Sequence, residues 1–210
     1  MKVLEELNKM IAAANDIAEK QGLQEKNLSD NHYLMMIITE IVEAIQADRS
    51  GNKAMMKSFN VLVKEKGDDA NFIFPDGFGK ERENFIFAYE KYIEGTVDGE
   101  LADIVIRTMS FFGLRGMKFS PIEDLDASKA KESEEYFKGC SFTEAALDLT
   151  QSFATHYDGL YKDKVFVDDL SYSVAFIFEW ARYLKIDLMR HIKLKMKYNS
   201  MREYKHGKKY

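Results

Sequence analysis

Two pairs of carboxylates at helical spacing are the residues of this chain best suited to chemistry. In "TEIVEAIQADR" Glu40 and Glu43 lie three positions apart, and in "GELADIVIR" Glu100 and Asp103 repeat that spacing. Each residue of an α-helix advances about 100°, so positions three apart share a face. Both pairs interrupt segments otherwise apolar enough for buried helices. Leu34, Ile38, Ile41 and Ile45 form one stripe, with Glu40 and Glu43 on the roughly opposite face; Leu101, Val105, Met109 and Phe112 form the other, opposite Glu100 and Asp103. Like charges in such surroundings repel and lose hydration unless a cation sits between them. Two helices that each offer such a pair can enclose one or two hard cations, and Mg²⁺ is the usual ion where phosphates supply the remaining oxygen ligands. Arg107, four residues after Asp103, is expected to orient that carboxylate. A carboxylate-bridged di-iron centre competes for this reading, but it needs Glu-x-x-His on two helices, and that motif occurs only at Glu203 and His206. One Glu-x-x-Glu alone is ordinarily a solvated helix face; the second pair is what favours a metal.

The complementary chemistry lies at the other end of the sequence. Lys195, Tyr198, Asn199 and Arg202 fall within about 100° of one another on a final helix, and His191 joins them. Ammonium and guanidinium groups suit phosphate oxygens, the guanidinium through two parallel hydrogen bonds. Tyr198 or Asn199 is expected to meet a base or sugar. "KHGKKY" follows, and Gly207 with three lysines is expected to close over a bound anion. The alternative is a solvated basic tail, or a tail that binds an acidic partner of a non-catalytic helical interaction protein.

These groups must be positioned by helices. With only 2 Pro and 12 Gly in 210 residues, breakers are too few for many short turn-linked strands, so an all-α single domain spanning 1–210 is expected. Apolar spacing predicts helices over residues 3–22, from a Ser29 or Asp30 cap to Arg49, over 81–93, from Thr96 or Asp98 to Gly116, and over 143–157. A long helix is expected from Asp168 to Asn199, with a break near Lys185–Asp187. Residues 51–80 are the least regular, with turn chemistry and a possible short extended piece around Pro75, and 117–142 reads as a polar connector. A net charge of -5 argues against a general nucleic-acid or membrane-surface binder, which needs a basic field. Cys140 is alone, no apolar run approaches a membrane span, and the opening "MKVLEELNKM" carries acids too early for a signal peptide, so a reducing cytoplasm is expected.

The order and context of these motifs resemble the all-α nucleoside triphosphate pyrophosphohydrolases, the MazG-like superfamily that includes the dimeric dUTPases. The likeness covers about residues 28–50, 94–116 and 186–210, carried by "EIVEAIQADR", "GELADIVIR" and "KMKYNSMREYKHGKKY". It implies a helical fold that cleaves a nucleoside triphosphate between the α and β phosphates, releasing the monophosphate and pyrophosphate; a narrower form acts on dUTP or dCTP. Glu40, Glu43, Glu100 and Asp103 would then be Mg²⁺ ligands, with Mn²⁺ as a substitute. Either Glu40 or Glu43 would accept the proton of the attacking water. Lys195, Asn199 and Arg202, with Tyr198 beside them, would contact the nucleotide, and a homodimer or homotetramer is implied. Glu43 and Glu100 are 57 positions apart (100 minus 43), farther than in compact members. Residues 51–93 are therefore read as an insertion between the two metal-binding helices.

Overall fold

The structure is a computed structural model and describes residues 2–23, 28–63, 79–121, 127–154 and 164–202. Among these residues the secondary structure is entirely helical: α1 (Lys2–Lys20), α2 (Asp30–Arg49), α3 (Met56–Val63), α4 (Gly79–Tyr92), α5 (Val97–Arg115), α6 (Ala127–Gly139), α7 (Phe142–Ala154), α8 (Lys164–Tyr183) and α9 (Leu188–Asn199). No helix of the described residues is long and apolar enough to cross a membrane.

The boundaries have local causes. Ser29 caps α2, its side-chain oxygen accepting from the His32 amide, and Thr96 caps α5 by accepting from the Gly99 amide at 3.2 Å. Gly116 stops α5 in the left-handed conformation, φ 66°. The terminal helix is divided into α8 and α9 at the break expected near Lys185–Asp187. Lys185 takes a left-handed φ of 62° between them, and the Asp187 side chain opens α9 by accepting from the Arg190 amide. Two corrections concern segments without clear periodicity. Residues 56–63, inside the stretch read as irregular, form α3, anchored by the buried Phe59. The polar connector contains α6, anchored by Phe137, which stacks on Trp180. The extended piece around Pro75 and the lysine-rich close over an anion after Arg202 both fall outside the described residues, as do residues 155–157 of the helix expected over 143–157.

Helix α5 is the axis of the fold. It packs most extensively on α2 and α1, then on α9 and α8, and it is buried on nearly every side, as its all-round apolar sequence requires. Its approach to α1 is so close that a Cβ at Gly113 would lie 2.6 Å from the Asn15 Cβ. The main core gathers Leu7, Ile37, Ile41, Leu101, Val105, Phe112 and Trp180; each fully buried side chain of this size contributes about 1.5–3 kcal/mol of transfer free energy. A second cluster joins α3, α4 and α9 through Phe59, Phe85, Tyr89, Ile93, Leu194 and Tyr198.

The buried stripe of α2 differs from the expected one. Tyr33, Leu34, Ile37, Glu40, Ile41, Ala44 and Ala47 face inward, whereas Ile38 and Ile45 are half-buried. The stripe is rotated toward Glu40, so that this carboxylate belongs to the packed face and Glu43 does not.

Candidate functional site

Three of the four carboxylates converge. Glu40 of α2 and Glu100 and Asp103 of α5 each bring an oxygen to a common point, and these atoms lie within 4.8 Å of one another. Glu40 and Glu100 are each 5% exposed, and Asp103 is half-buried. Glu43 is exposed and stands apart from this cluster, but it lines the same cavity. Glu100 occupies the first turn of α5, where the helix dipole favours a negative charge. That turn is packed hard against the preceding chain, since a Cβ at Gly99 would lie 2.8 Å from the Ile93 carbonyl oxygen.

Two cations are tied to the cluster. Arg107 Nε donates to Glu40 Oε1, and Lys195 Nζ of α9 donates to Asp103 Oδ2 at 2.6 Å. The expected local pairing of Arg107 with Asp103 is therefore replaced by a tertiary one. Helix α2 crosses α5 where the guanidinium reaches Glu40, and Lys195 takes Asp103 instead.

The electrostatics follow from crowding. Burial, then repulsion from Asp103, raises the Glu40 carboxyl to about 7, although Arg107 opposes the rise. Burial and Asp103 raise Glu100 to about 8 against the pull of Lys195. Burial lowers the affinity of Lys195 for its proton, but attraction to Asp103 and Glu100 outweighs it and leaves the ammonium well charged. The cluster thus holds protons near neutral pH that an added cation would displace. Glu100 Oε2 is buried and has no hydrogen-bond partner among the described residues. A buried carboxylate oxygen left unpaired is costly, and the oxygen-only donor set suits a hard cation such as Mg²⁺. The residues present fit such an ion.

The carboxylates form one wall of a cavity of about 320 Å³. Lys195, Asn199 and Arg202 line it from the α9 side, as expected. Tyr198 does not join them. It is buried against α4, its ring stacked on Tyr89 at 4.4 Å between centroids, and its hydroxyl donates to Glu90 Oε1 at 3.0 Å. The Arg202 guanidinium carbon lies 5.3 Å from the centroid of the same ring. His191 is also turned inward, with Nε2 3.5 Å from Asp98 Oδ1; burial keeps its proton affinity low despite that carboxylate. The remaining wall comes from residues not foreseen as site residues: Ala14, Ile17, Ala18 and Gln21 of α1 and its end, and Tyr33, Met36 and Thr39 of α2. Their signal in sequence was small side chains on the apolar face of α1, which reads equally well as helix packing. Glu94, at the turn before α5, lines the cavity as well. In comparisons with family models, curated proteins and solved structures, no family, protein or structure matches this chain.

Proposed function

We propose that this chain is a Mg²⁺-dependent nucleoside triphosphate pyrophosphohydrolase of the MazG-like type. The observation that carries the reading is one cavity lined by two chemistries: three convergent carboxylates, and the cationic and amide groups of Lys195, Asn199 and Arg202. An acidic cluster alone would suit any hard cation. The ammonium and guanidinium that line the same cavity supply what a polyphosphate needs beyond it.

Glu40, Glu100 and Asp103 hold the ion, which when bound neutralises phosphate charge and lowers the pKa of water. Arg107 fixes Glu40, and Lys195 fixes Asp103 while presenting positive charge to the phosphates. Arg202 takes the outer phosphates. We assign proton acceptance to Glu43, the exposed glutamate on the cavity wall, because Glu40 is engaged by Arg107. Water adds to the α phosphorus, the α–β bridging bond breaks, and the proton passes to Glu43, giving nucleoside monophosphate and pyrophosphate. The apolar wall of α1 and α2 would receive the base and sugar. A homodimer or homotetramer goes with this reading, as the resemblance implies.

A panel of ribo- and deoxynucleoside triphosphates, with dUTP and dCTP among them, assayed for pyrophosphate release with Mg²⁺ tests the reading. Monophosphate and pyrophosphate in equal amounts are expected. Release of orthophosphate, or no release from any member while Mg²⁺ and nucleotide fail to raise the Tm together, overturns it.

A further inference from the structure

The segment between the two carboxylate helices is read as an insertion, yet α4 is tied to the end of α9 that leads into Arg202. Tyr198 stacks on Tyr89 with ring centroids 4.4 Å apart and planes 15° from parallel, and its hydroxyl donates to Glu90 Oε1 at 3.0 Å. Lys197 Nζ stands 5.0 Å from the Phe85 centroid, and Arg82 Nη2 donates to the Met201 carbonyl at 3.3 Å. Phe85 and Tyr89 are completely buried, and Tyr198 nearly so. The stretch from Lys197 to Met201 is thereby braced by one neighbouring helix.

Both cations that line the cavity lie beside the ring so fixed. The Arg202 guanidinium carbon is 5.3 Å and Lys195 Nζ 5.9 Å from the Tyr198 centroid, within the reach of about 6 Å over which a ring attracts a cation. Lys195 also has Asp103, whereas the ring is what the described side chains offer the guanidinium of Arg202. The difference matters chemically. A carboxylate partner would occupy the N–H donors of a guanidinium and would have to be displaced by a phosphate. An aromatic ring attracts the cation through its π face and leaves those donors for phosphate oxygens. It also restrains a long side chain before the ligand arrives, which lowers the ordering cost of binding.

We propose that Tyr198 is a positioning residue for Arg202, its ring, braced by α4, holding the guanidinium ready for phosphate oxygens. The inference rests on the reading of the cavity as a polyphosphate site. It gives residues 79–92 a part in ligand binding that they exert through α9.

The test compares Tyr198→Leu, which removes the ring, with Tyr198→Phe, which keeps it, each alone and combined with Arg202→Ala. Binding of Mg²⁺ tripolyphosphate, a probe that requires no choice of base, is measured by calorimetric titration, and Mn²⁺ binding without phosphate serves as the check on the carboxylate site. Tyr198→Leu should weaken tripolyphosphate binding about fivefold, Tyr198→Phe should bind it like the parent, and Mn²⁺ affinity should stay the same in both. Once Arg202 is Ala, Tyr198→Leu should cost nothing more, which general damage to the fold would not reproduce. Parent affinity in Tyr198→Leu, an equal loss in Tyr198→Phe, or an equal loss in the Arg202→Ala background overturns this inference and leaves the cavity reading standing. Should Tyr198→Leu lose Mn²⁺ binding as well, its fold is disturbed and Arg82→Ala decides, on a side chain exposed to solvent. Weaker tripolyphosphate binding in Arg82→Ala, by about twofold and only while Arg202 is present, supports the brace; unchanged binding overturns it. Failure of the parent to bind Mg²⁺ tripolyphosphate overturns both readings.

Discussion

The two carboxylate pairs have the same spacing and opposite surroundings. On α5 both members reach the cluster, because that helix is packed against α1, α2, α8 and α9 and its one half-buried stripe, with Asp103 and Arg107 on it, faces the cavity. On α2 the inward stripe takes Glu40 and leaves Glu43 exposed. Spacing therefore tells which side chains travel together around a helix, while the neighbouring helices decide which of them give up water. The difference divides the labour. Buried acids with raised proton affinity are suited to holding a cation, and an exposed one on the cavity wall is suited to exchanging a proton.

The comparison breaks most visibly at Glu100. Glu100→Gln should lower pyrophosphate release by about a thousandfold or more, since the missing ligand removes several kcal/mol of charge stabilisation, and it should abolish Mn²⁺ binding. Glu43→Gln should lower turnover by about a hundredfold, the lower range for loss of a general base, with Mn²⁺ affinity nearly unchanged. Equal losses of metal binding in both variants would erase the distinction between the pairs.

Arg202→Ala sharpens the contrast between the cavity's two walls. A charge-assisted contact is worth about 1.5–3 kcal/mol, so nucleoside triphosphate binding should weaken by that amount, and monophosphate binding by less. Mn²⁺ binding alone should stay as it is.

The pH dependence of stability separates the pairs without any substrate. Glu40 and Glu100 hold their protons more tightly when folded, near 7 and 8 against 4.5 for the unconstrained carboxyl. A folded state that binds more protons is favoured at low pH, so these groups cost nothing below about 4.5, and the metal-free Tm should fall as pH rises from there to about 8. Divalent cation should restore it at the upper end, where the carboxylates are ionised. Glu100→Gln should flatten the fall, and Glu43→Gln should do so far less, because its charge is only a minor cause of the raised proton affinity of Glu40 and Glu100.

The smallest effect expected is at Tyr198→Phe. Loss of its bond to Glu90 should cost about 1 kcal/mol of stability and leave nucleotide affinity unchanged, measured by denaturant unfolding and by titration. A loss of affinity comparable with that of Arg202→Ala would return Tyr198 to the nucleotide wall.

Much of the frame was legible because its signals are local. Ser29, Thr96 and Gly116 mark the ends of α2 and α5 by capping chemistry that operates within four residues. What escaped needed a partner helix. Arg107 had a plausible neighbour in Asp103 on its own helix, and only the crossing of α2 over α5 hands it to Glu40. Tyr198 and Asn199 share the stripe that carries Lys195, but they sit at its two edges, about 100° apart. One edge is covered by α4 and the other opens on the cavity. Helices α3 and α6 were missed for a different reason. Among the described side chains each has one buried anchor, Phe59 or Phe137, too few to establish a period.

The enclosure of α5 also sets how ligand binding must be felt by the rest of the molecule. Amides at the centre of a fully surrounded helix exchange with solvent only when the whole structure opens, whereas those of a peripheral helix exchange through small local excursions. Two ligands of the proposed site, Glu100 and Asp103, hang from that helix. Occupancy should therefore slow hydrogen exchange along Leu101–Phe112 by the same factor by which it stabilises the entire fold, and an intermediate with the site formed but the bundle open should never accumulate.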